Sequence, residues 1–139
     1  MKTAVLTALA FVLLPSQPTR CGDPEEVTFG ILAGFDYEEG MELPADVSGY
    51  NGKQVSVSGF MATEDGSEGD VEYFIIINDA CGCEGTPKMN EMVFCVMPSG
   101  ETTRLKDGRV MVTGKFHVSE EKEEGVVVSL YGLEVDSVK

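Results

Sequence analysis

A chain of 139 residues can form one domain with its own core and is too short for two. It carries 24 acidic residues against 10 lysines and arginines, so its formal net charge is −14. A charge of this size repels phosphate backbones and anionic membrane surfaces, which argues against nucleic-acid binding.

The first twenty residues are typical of an export signal. Lys2 supplies a positive start, Ala4–Leu14 carries no charge, and Pro15–Arg20 ends the apolar run. That length suits the apolar region of a signal peptide and is too short to cross a bilayer comfortably. We predict a signal peptide at 1–20, a periplasmic location and no integral membrane segment after signal removal. Cys21 is a candidate for lipid attachment, but the residues before it form a poor lipidation signal, so anchoring is disfavoured.

The rest of the chain is predicted to be a short linker at 21–28 followed by a single domain over 29–139. The apolar and aromatic stretch Val27–Tyr37 indicates an N-terminal arm that packs against this domain. Pro44–Tyr50 is predicted to form a single helical turn. The dipeptide Asn51-Gly52 is a strong turn signal that leads into a strand.

Five segments have the pattern of β-strands, with alternating or continuous apolar residues between glycine-rich and acidic turns. They are 53–62, 71–78, 91–97, 109–118 and 126–138. Gly59, Gly114 and Gly132 fall inside these strands, and such glycines permit the coiling that a small barrel needs. We expect an all-β domain: a small five-stranded barrel like the oligonucleotide/oligosaccharide-binding (OB) fold, with an N-terminal arm. An open sandwich is the alternative. The acidic runs Glu64–Asp70 and Glu120–Glu124 are expected to be solvated loops.

The most pointed chemical feature is the cysteine pair in the stretch NDACGCEG. Cys81 and Cys83 share one side of an extended segment, and Cys95 follows fourteen residues after Cys81. Thiolates with this spacing can converge on zinc or copper(I), and His117 could add a further ligand. In an oxidising compartment, Cys95 could instead pair with Cys81 or Cys83 in a structural disulfide, or the thiols could stay free.

His117 is the only histidine of the chain. Strand alternation groups it with Thr113 and Lys115, which favours an exposed position over a role as a ligand. A Ser/His/Asp set would depend on this residue, and the sequence has neither a Gly-x-Ser-x-Gly elbow nor a phosphate-binding glycine loop. We therefore predict that the protein is not an enzyme.

The chain resembles domain-of-unknown-function family 3299, a set of bacterial exported proteins. The stretches that carry the resemblance are YNGKQVSVSGFMATED, YFIIINDACGC, PKMNEMVFCV, VTGKFHV and LYGLEVDSV. Residues that match the motifs of the family are Gly52, Lys53, Gly59, Phe60, Cys81 and Asn90. Cys83 departs from the family, which has a histidine there. The resemblance implies an accessory role beside ABC-type export or metal-uptake systems, with a membrane transport complex as the partner.

Two functions follow as hypotheses. The first is a periplasmic, non-enzymatic binding or accessory protein with a zinc or copper site at Cys81, Cys83 and Cys95. The alternative is a protein-interaction module whose OB-like face grips a partner protein or peptide, while the cysteines form a purely structural disulfide.

Overall fold

The computed structural model describes residues 22–79 and 85–139. The predicted signal peptide at 1–20, the candidate lipidation site Cys21 and the pair Cys81 and Cys83 lie outside the described residues. Within the described part of the chain, no helix has both the length and the apolar character that a membrane crossing requires.

Strands dominate the described residues, and the helices are single turns. In chain order the elements are β1 (Glu25–Val27), α1 (Phe29–Leu32), α2 (Ala45–Ser48), β2 (Gln54–Ala62), β3 (Asp70–Val71), β4 (Tyr73–Ile77), a 3-10 helix (Met89–Glu91), β5 (Met92–Val96), β6 (Thr103–Arg104), β7 (Arg109–Glu123) and β8 (Val126–Val138). The all-β prediction is confirmed, because β2, β4, β5, β7 and β8 fall at the five predicted strand segments. The helical turn predicted near residue 45 is present as α2.

The five long strands are joined in one sheet. β2 pairs with β4, and β4 pairs with β5, both antiparallel. β5 pairs with β8 in parallel, β8 pairs with β7 antiparallel, and β7 pairs with β2 antiparallel. The hydrogen-bonded pairs therefore run from β2 through β4, β5, β8 and β7 back to β2. The short strands β3 and β6 form a separate two-stranded sheet.

The N-terminal arm begins earlier than the sequence predicts. β1 pairs in parallel with the first half of β2, from Glu25 opposite Val55 to Val27 opposite Val57. Val27 is buried in the core, and Phe29 and Leu32 of α1 follow it there. The interval 21–28 is therefore not entirely a linker, because β1 satisfies backbone groups along one side of β2.

The core lies between the inward side chains of the five long strands and the arm. Its largest fully buried side chains are Tyr131, Phe74, Phe116, Leu32, Ile76, Leu130 and Leu133. The rings of Phe116 and Tyr131 stack with centroids 5.7 Å apart. The Tyr131 hydroxyl donates a hydrogen bond of 2.8 Å to the carbonyl oxygen of Leu32, so the buried polar atom is paired and the arm is fastened to the sheet.

The hairpin of β7 and β8 is longer than predicted. Residues 120–123 of the acidic run belong to β7 instead of a loop, and the turn is Glu124-Gly125, with φ angles of 50° and 83°. These angles suit a two-residue hairpin turn, and charged residues are tolerated there because this end of the hairpin is solvated. The Glu120 carboxylate accepts hydrogen bonds from the Tyr37 hydroxyl at 2.7 Å and the Gly40 amide at 2.6 Å. The arm therefore also holds this extension.

Candidate functional site

The outer face of β4 and β5 is apolar along its length. Phe74, Ile76, Val93 and Cys95 point inward and are fully buried, so their strand neighbours point outward. The outward side chains form three cross-strand pairs: Tyr73 with Val96, Ile75 with Phe94, and Ile77 with Met92. No polar side chain interrupts these three pairs, so the face is suited to contact with another apolar surface.

Two of these side chains are largely exposed to solvent. Tyr73 has a relative exposure of 51% and Val96 one of 56%, although they lie directly opposite each other on the sheet. Phe94 is partly exposed beside them, whereas Ile75 is only 7% exposed, so the exposed apolar surface is a patch of Tyr73, Val96 and Phe94. Large apolar side chains exposed singly are common, whereas a contiguous exposed apolar patch is typical of an interaction surface. The patch therefore marks this face as the candidate site.

The register extends the row across β8 to β7. Phe94 lies opposite Gly132, and Gly132 lies opposite His117. In the next row, Val96 lies opposite Glu134, which lies opposite Lys115. Because Gly132 has no side chain, the first row has a gap between Phe94 and His117.

A groove of about 260 Å³ occupies this gap. Phe94, Val96 and His117 line it, and the carboxylates of Glu121 and Glu134 lie on its rim. A Cβ added at Gly132 would meet its nearest atom, the Cβ of His117, at 3.7 Å, which is ordinary van der Waals contact. The groove is therefore open space that a side chain could fill without strain.

His117, one of the residues that line the groove, contacts the carboxylate of Glu134. Its Nε2 lies 2.7 Å from Oε1 of Glu134, and the two side chains are 39% and 67% exposed. The prediction that His117 occupies an exposed face of its strand is confirmed, since Phe116 is buried and Lys115 is exposed. Its hydrogen bond to Glu134 orients the imidazole along the rim.

Cys95 lies on the other side of the sheet. Its thiol is fully buried and is 3.7 Å from the backbone oxygen of Val93. Burial raises the pKa of the Cys95 thiol far above its ordinary value, so the neutral thiol is favoured over the thiolate that metals bind. Cys95 faces the core and His117 faces solvent, so the structure does not bring these two predicted ligands together.

The predicted metal site is centred on residues that the structure does not describe. Cys81 and Cys83 lie outside the described residues. A metal ion or a disulfide shared with either of them is therefore still a prediction from the sequence. Among residues 22–79 and 85–139, no group of three or more histidine, cysteine or acidic side chains is arranged to hold a metal ion. The zinc or copper site stays a prediction.

Another cavity, of about 340 Å³, lies next to the described residues that flank 80–84. It is lined by Phe29 and Gly30 of α1, by Ile77 and Asp79 at the end of β4, and by Lys88 before the 3-10 helix.

The family-motif residues have structural roles. Gly52 occupies the turn before β2 with a φ of 78°, and its amide donates to the Phe116 carbonyl at 2.7 Å. Lys53 forms an exposed ion pair with Glu25 at 3.3 Å. Gly59 is required by a close approach, because a Cβ there would lie 2.6 Å from the carbonyl oxygen of Ile77.

Phe60 and Asn90 complete the motif set. The Arg109 guanidinium lies over the Phe60 ring, 4.9 Å from its centroid. Asn90 is buried, and its side-chain nitrogen donates to the carbonyl oxygen of Phe35 at 2.8 Å. Its side-chain oxygen has no hydrogen-bond partner among the described residues. These contacts fasten β2 to β7 and the arm to the 3-10 helix.

Sequence reasoning missed the groove. The signal that could have located its apolar wall is the two-sided apolar pattern of 71–78 and 91–97. Such a pattern is typical of strands that are covered on both faces, so the face turned away from the core is expected to have a cover of its own. Gly132 gives no such signal. A missing side chain there creates a groove only because large side chains lie beside it in the sheet, and the sequence alone does not show which residues those are.

Comparison with known proteins shows a likeness at the level of the fold. No family model matches the chain, and no curated protein matches it. A crystal structure of a DUF3299 family protein from Pseudomonas aeruginosa PAO1 is similar, with a TM-score of 0.55 and 18% sequence identity, covering 84% of this chain and 95% of that chain. The likeness shows a shared fold and confirms, at that level, the predicted resemblance to family 3299.

Proposed function

We propose that this chain is an exported, non-catalytic binding protein that holds a partner protein on the outer face of β4 and β5. The observation that carries the proposal is the cross-strand pair of Tyr73 and Val96 on that face, because both side chains are apolar and more than half exposed. Export is supported by the apolar segment before residue 20, and an accessory role by the resemblance to family 3299.

The strand order supports an OB-type barrel. The pairs run from β2 through β4, β5, β8 and β7 back to β2, and they include one parallel pair, β5 with β8. An open sandwich would leave edges between its sheets, whereas this order gives each long strand two partners. OB barrels bind their ligands on the face of the second and third strands. In this chain those strands are β4 and β5.

The charge of the chain favours a protein partner over a nucleic acid. OB domains that bind single strands combine aromatic side chains with a basic groove. Tyr73 and Phe94 supply aromatic rings, but the chain has a net charge of −14 and the neighbouring groove has carboxylates on its rim. A phosphate backbone would be repelled there.

The chemistry of the described side chains favours binding over catalysis. Cys95 is buried with a neutral thiol, and His117 is hydrogen-bonded to Glu134 on an open sheet face. A nucleophile and a base within mutual reach are the usual signature of covalent catalysis, and these two residues lie on opposite faces. A membrane transport complex is the partner that the family resemblance suggests, and metal binding at Cys81 and Cys83 remains a hypothesis beside it.

The experiment places a photo-cross-linking amino acid at position 96 or at position 111 of the exported protein. Val96 and Met111 are both exposed apolar residues, at 56% and 43%, and Met111 lies opposite Ser58 of β2, away from the apolar row. We expect a discrete cross-linked partner from position 96 and none from position 111. Equal cross-linking at both positions, or none at either, would overturn the proposal.

A further inference from the structure

We propose that the groove at Gly132 receives one apolar side chain of an extended partner segment, and that lysines or arginines of that segment lie against the carboxylates on the rim. This inference rests on the proposed function and names the chemistry that the face would recognise. It is carried by the shape of the groove, by its position in the apolar row and by the sign of the charges around it.

The shape of the groove fits an anchor side chain. Its volume of about 260 Å³ lies below the roughly 300 Å³ at which small-molecule sites begin. Phe94, Val96, His117, Gly132 and Leu133 are among its lining residues. A single side chain that fills a pocket and becomes desolvated there can carry much of the binding energy of an interface.

The charges favour a cationic segment. Glu134 and Glu121 stand on the rim, and Lys115 lies opposite Glu134 in the register, so the rim keeps a net negative charge. The hairpin beyond Glu121 adds Glu123 and Glu124, both exposed, while the cation of Lys122 is paired with Glu39 and Glu120. Acidic groups around an apolar pocket attract lysine and arginine during approach and repel acidic segments.

The arrangement favours an extended segment over a helix. The row from Ile75 through Phe94 and Gly132 to His117 crosses the strands of one sheet. The groove in this row has room for one side chain of the partner segment. An extended peptide directs alternate side chains to one surface, so one side chain can enter the groove while the side chains two residues before and after it reach the rim.

The test uses a fluorescent heptapeptide with a central phenylalanine and two lysines on each side. Two matched peptides replace the phenylalanine with serine or the lysines with glutamates. Binding to the exported protein is measured by fluorescence anisotropy at several salt concentrations. We expect the first peptide to bind about tenfold more tightly than either control. The serine peptide lacks the apolar anchor that fills the groove, and the glutamate peptide lacks the charges that complement the rim.

Variants at Gly132 locate the binding. Gly132→Leu would fill the groove with a side chain and weaken binding of the phenylalanine peptide about tenfold. Gly132→Ala is the matched control, because its Cβ has room and the groove stays open, so its affinity should equal that of the parent. Glu134→Gln combined with Glu121→Gln should weaken binding and reduce its salt dependence. Unchanged thermal unfolding verifies that each variant is folded.

Two outcomes would overturn the inference. Gly132→Leu could bind the peptide as tightly as the parent does, or the serine peptide could bind as well as the phenylalanine peptide. If position 96 still yields its cross-linked partner in that case, the binding face stands and only the groove assignment fails. If position 96 yields no partner, the proposed function fails regardless of the peptide result.

Discussion

Single side chains decide how the N-terminal arm is held against the sheet. Tyr131 combines a buried ring, stacked on Phe116, with a hydroxyl that reaches the Leu32 carbonyl. Burial raises the pKa of this phenol far above its ordinary value, so it remains a neutral donor at any physiological pH. The residue therefore links the hydrophobic core to the backbone of α1.

Removing this hydroxyl is expected to destabilise the protein. Tyr131→Phe should lower the free energy of unfolding by about 1 kcal/mol, because the hydrogen bond to Leu32 is lost while the ring stays in place. Urea unfolding followed by circular dichroism measures the change. Tyr73→Phe is the control, since Tyr73 is 51% exposed and its substitution should leave stability unchanged. Equal stability of Tyr131→Phe and the parent would contradict the assigned role.

The thiol of Cys95 is expected to be free and protected. Iodoacetamide should not label it in the native protein, because the side chain is buried and the raised pKa leaves almost no thiolate. In denaturant without reductant it should be labelled, as shown by peptide mass spectrometry. If labelling of Cys95 requires prior reduction, then the residue is in a disulfide, and the alternative drawn from the sequence is correct.

At the scale of elements, the hairpin of β7 and β8 and the arm support each other. Glu120 accepts hydrogen bonds from Gly40 and Tyr37, and Lys122 forms an ion pair with Glu39 at 2.6 Å. The first two bonds, with a smaller effect of Lys122, hold the pKa of Glu120 below its ordinary value of 4.5. Burial and the Glu120 carboxylate raise the pKa of Tyr37 to about 12.

The contribution of Glu120 should depend on pH. Its folded-state pKa is below the unfolded value of 4.5, so its stabilisation is fully present above that pH and is lost as the pH falls through the folded-state pKa. Glu120→Gln should therefore lower the urea midpoint at pH 7, and the difference from the parent should shrink in acid. Glu123→Gln on the same hairpin should change little at either pH. A pH-independent difference would contradict the assignment.

The same scale shows what the sequence could predict. The five long strands follow from alternating apolar residues in β2 and β7, and from nearly continuous apolar runs in β4 and β5, patterns that can be recognised without knowledge of the pairing partners. β1 was not predicted, because three residues are too few to show a pattern and its pairing depends on β2. The acidic end of β7 predicts a loop because charges commonly mark solvated turns, yet a paired strand that extends into solvent tolerates them.

The candidate site could be predicted only in part. The exposure of His117 follows from alternation along one strand, and the apolar face follows from the two-sided pattern of β4 and β5. The groove requires that Phe94, Gly132 and His117 meet in one row, which depends on a parallel pair and an antiparallel pair between distant segments. Register between such segments is set by the packing of the whole sheet and not by local propensity.

At the scale of the whole molecule, the acidic surface and the apolar face have different roles. A net charge of −14 keeps copies of the protein apart and soluble, and it selects against anionic partners. The apolar row supplies contact area that charge alone does not provide. In the proposed function the two act together: the charge disfavours acidic partners, and the apolar row contacts a cationic partner that carries an apolar anchor.

The parallel pair of β5 and β8 has a consequence for how the chain acquires its fold. In this pair Phe94 lies opposite Gly132, a partner that is tens of residues further along the chain. The antiparallel pair of β2 and β7 likewise joins distant residues, such as Val55 and Gly114. Non-local pairing of this kind slows folding, because the chain loses the entropy of loop closure before the stabilising contacts can form. β8 is the last of the five long strands along the chain and pairs with both β5 and β7, so the sheet is incomplete until residues 126–138 have paired.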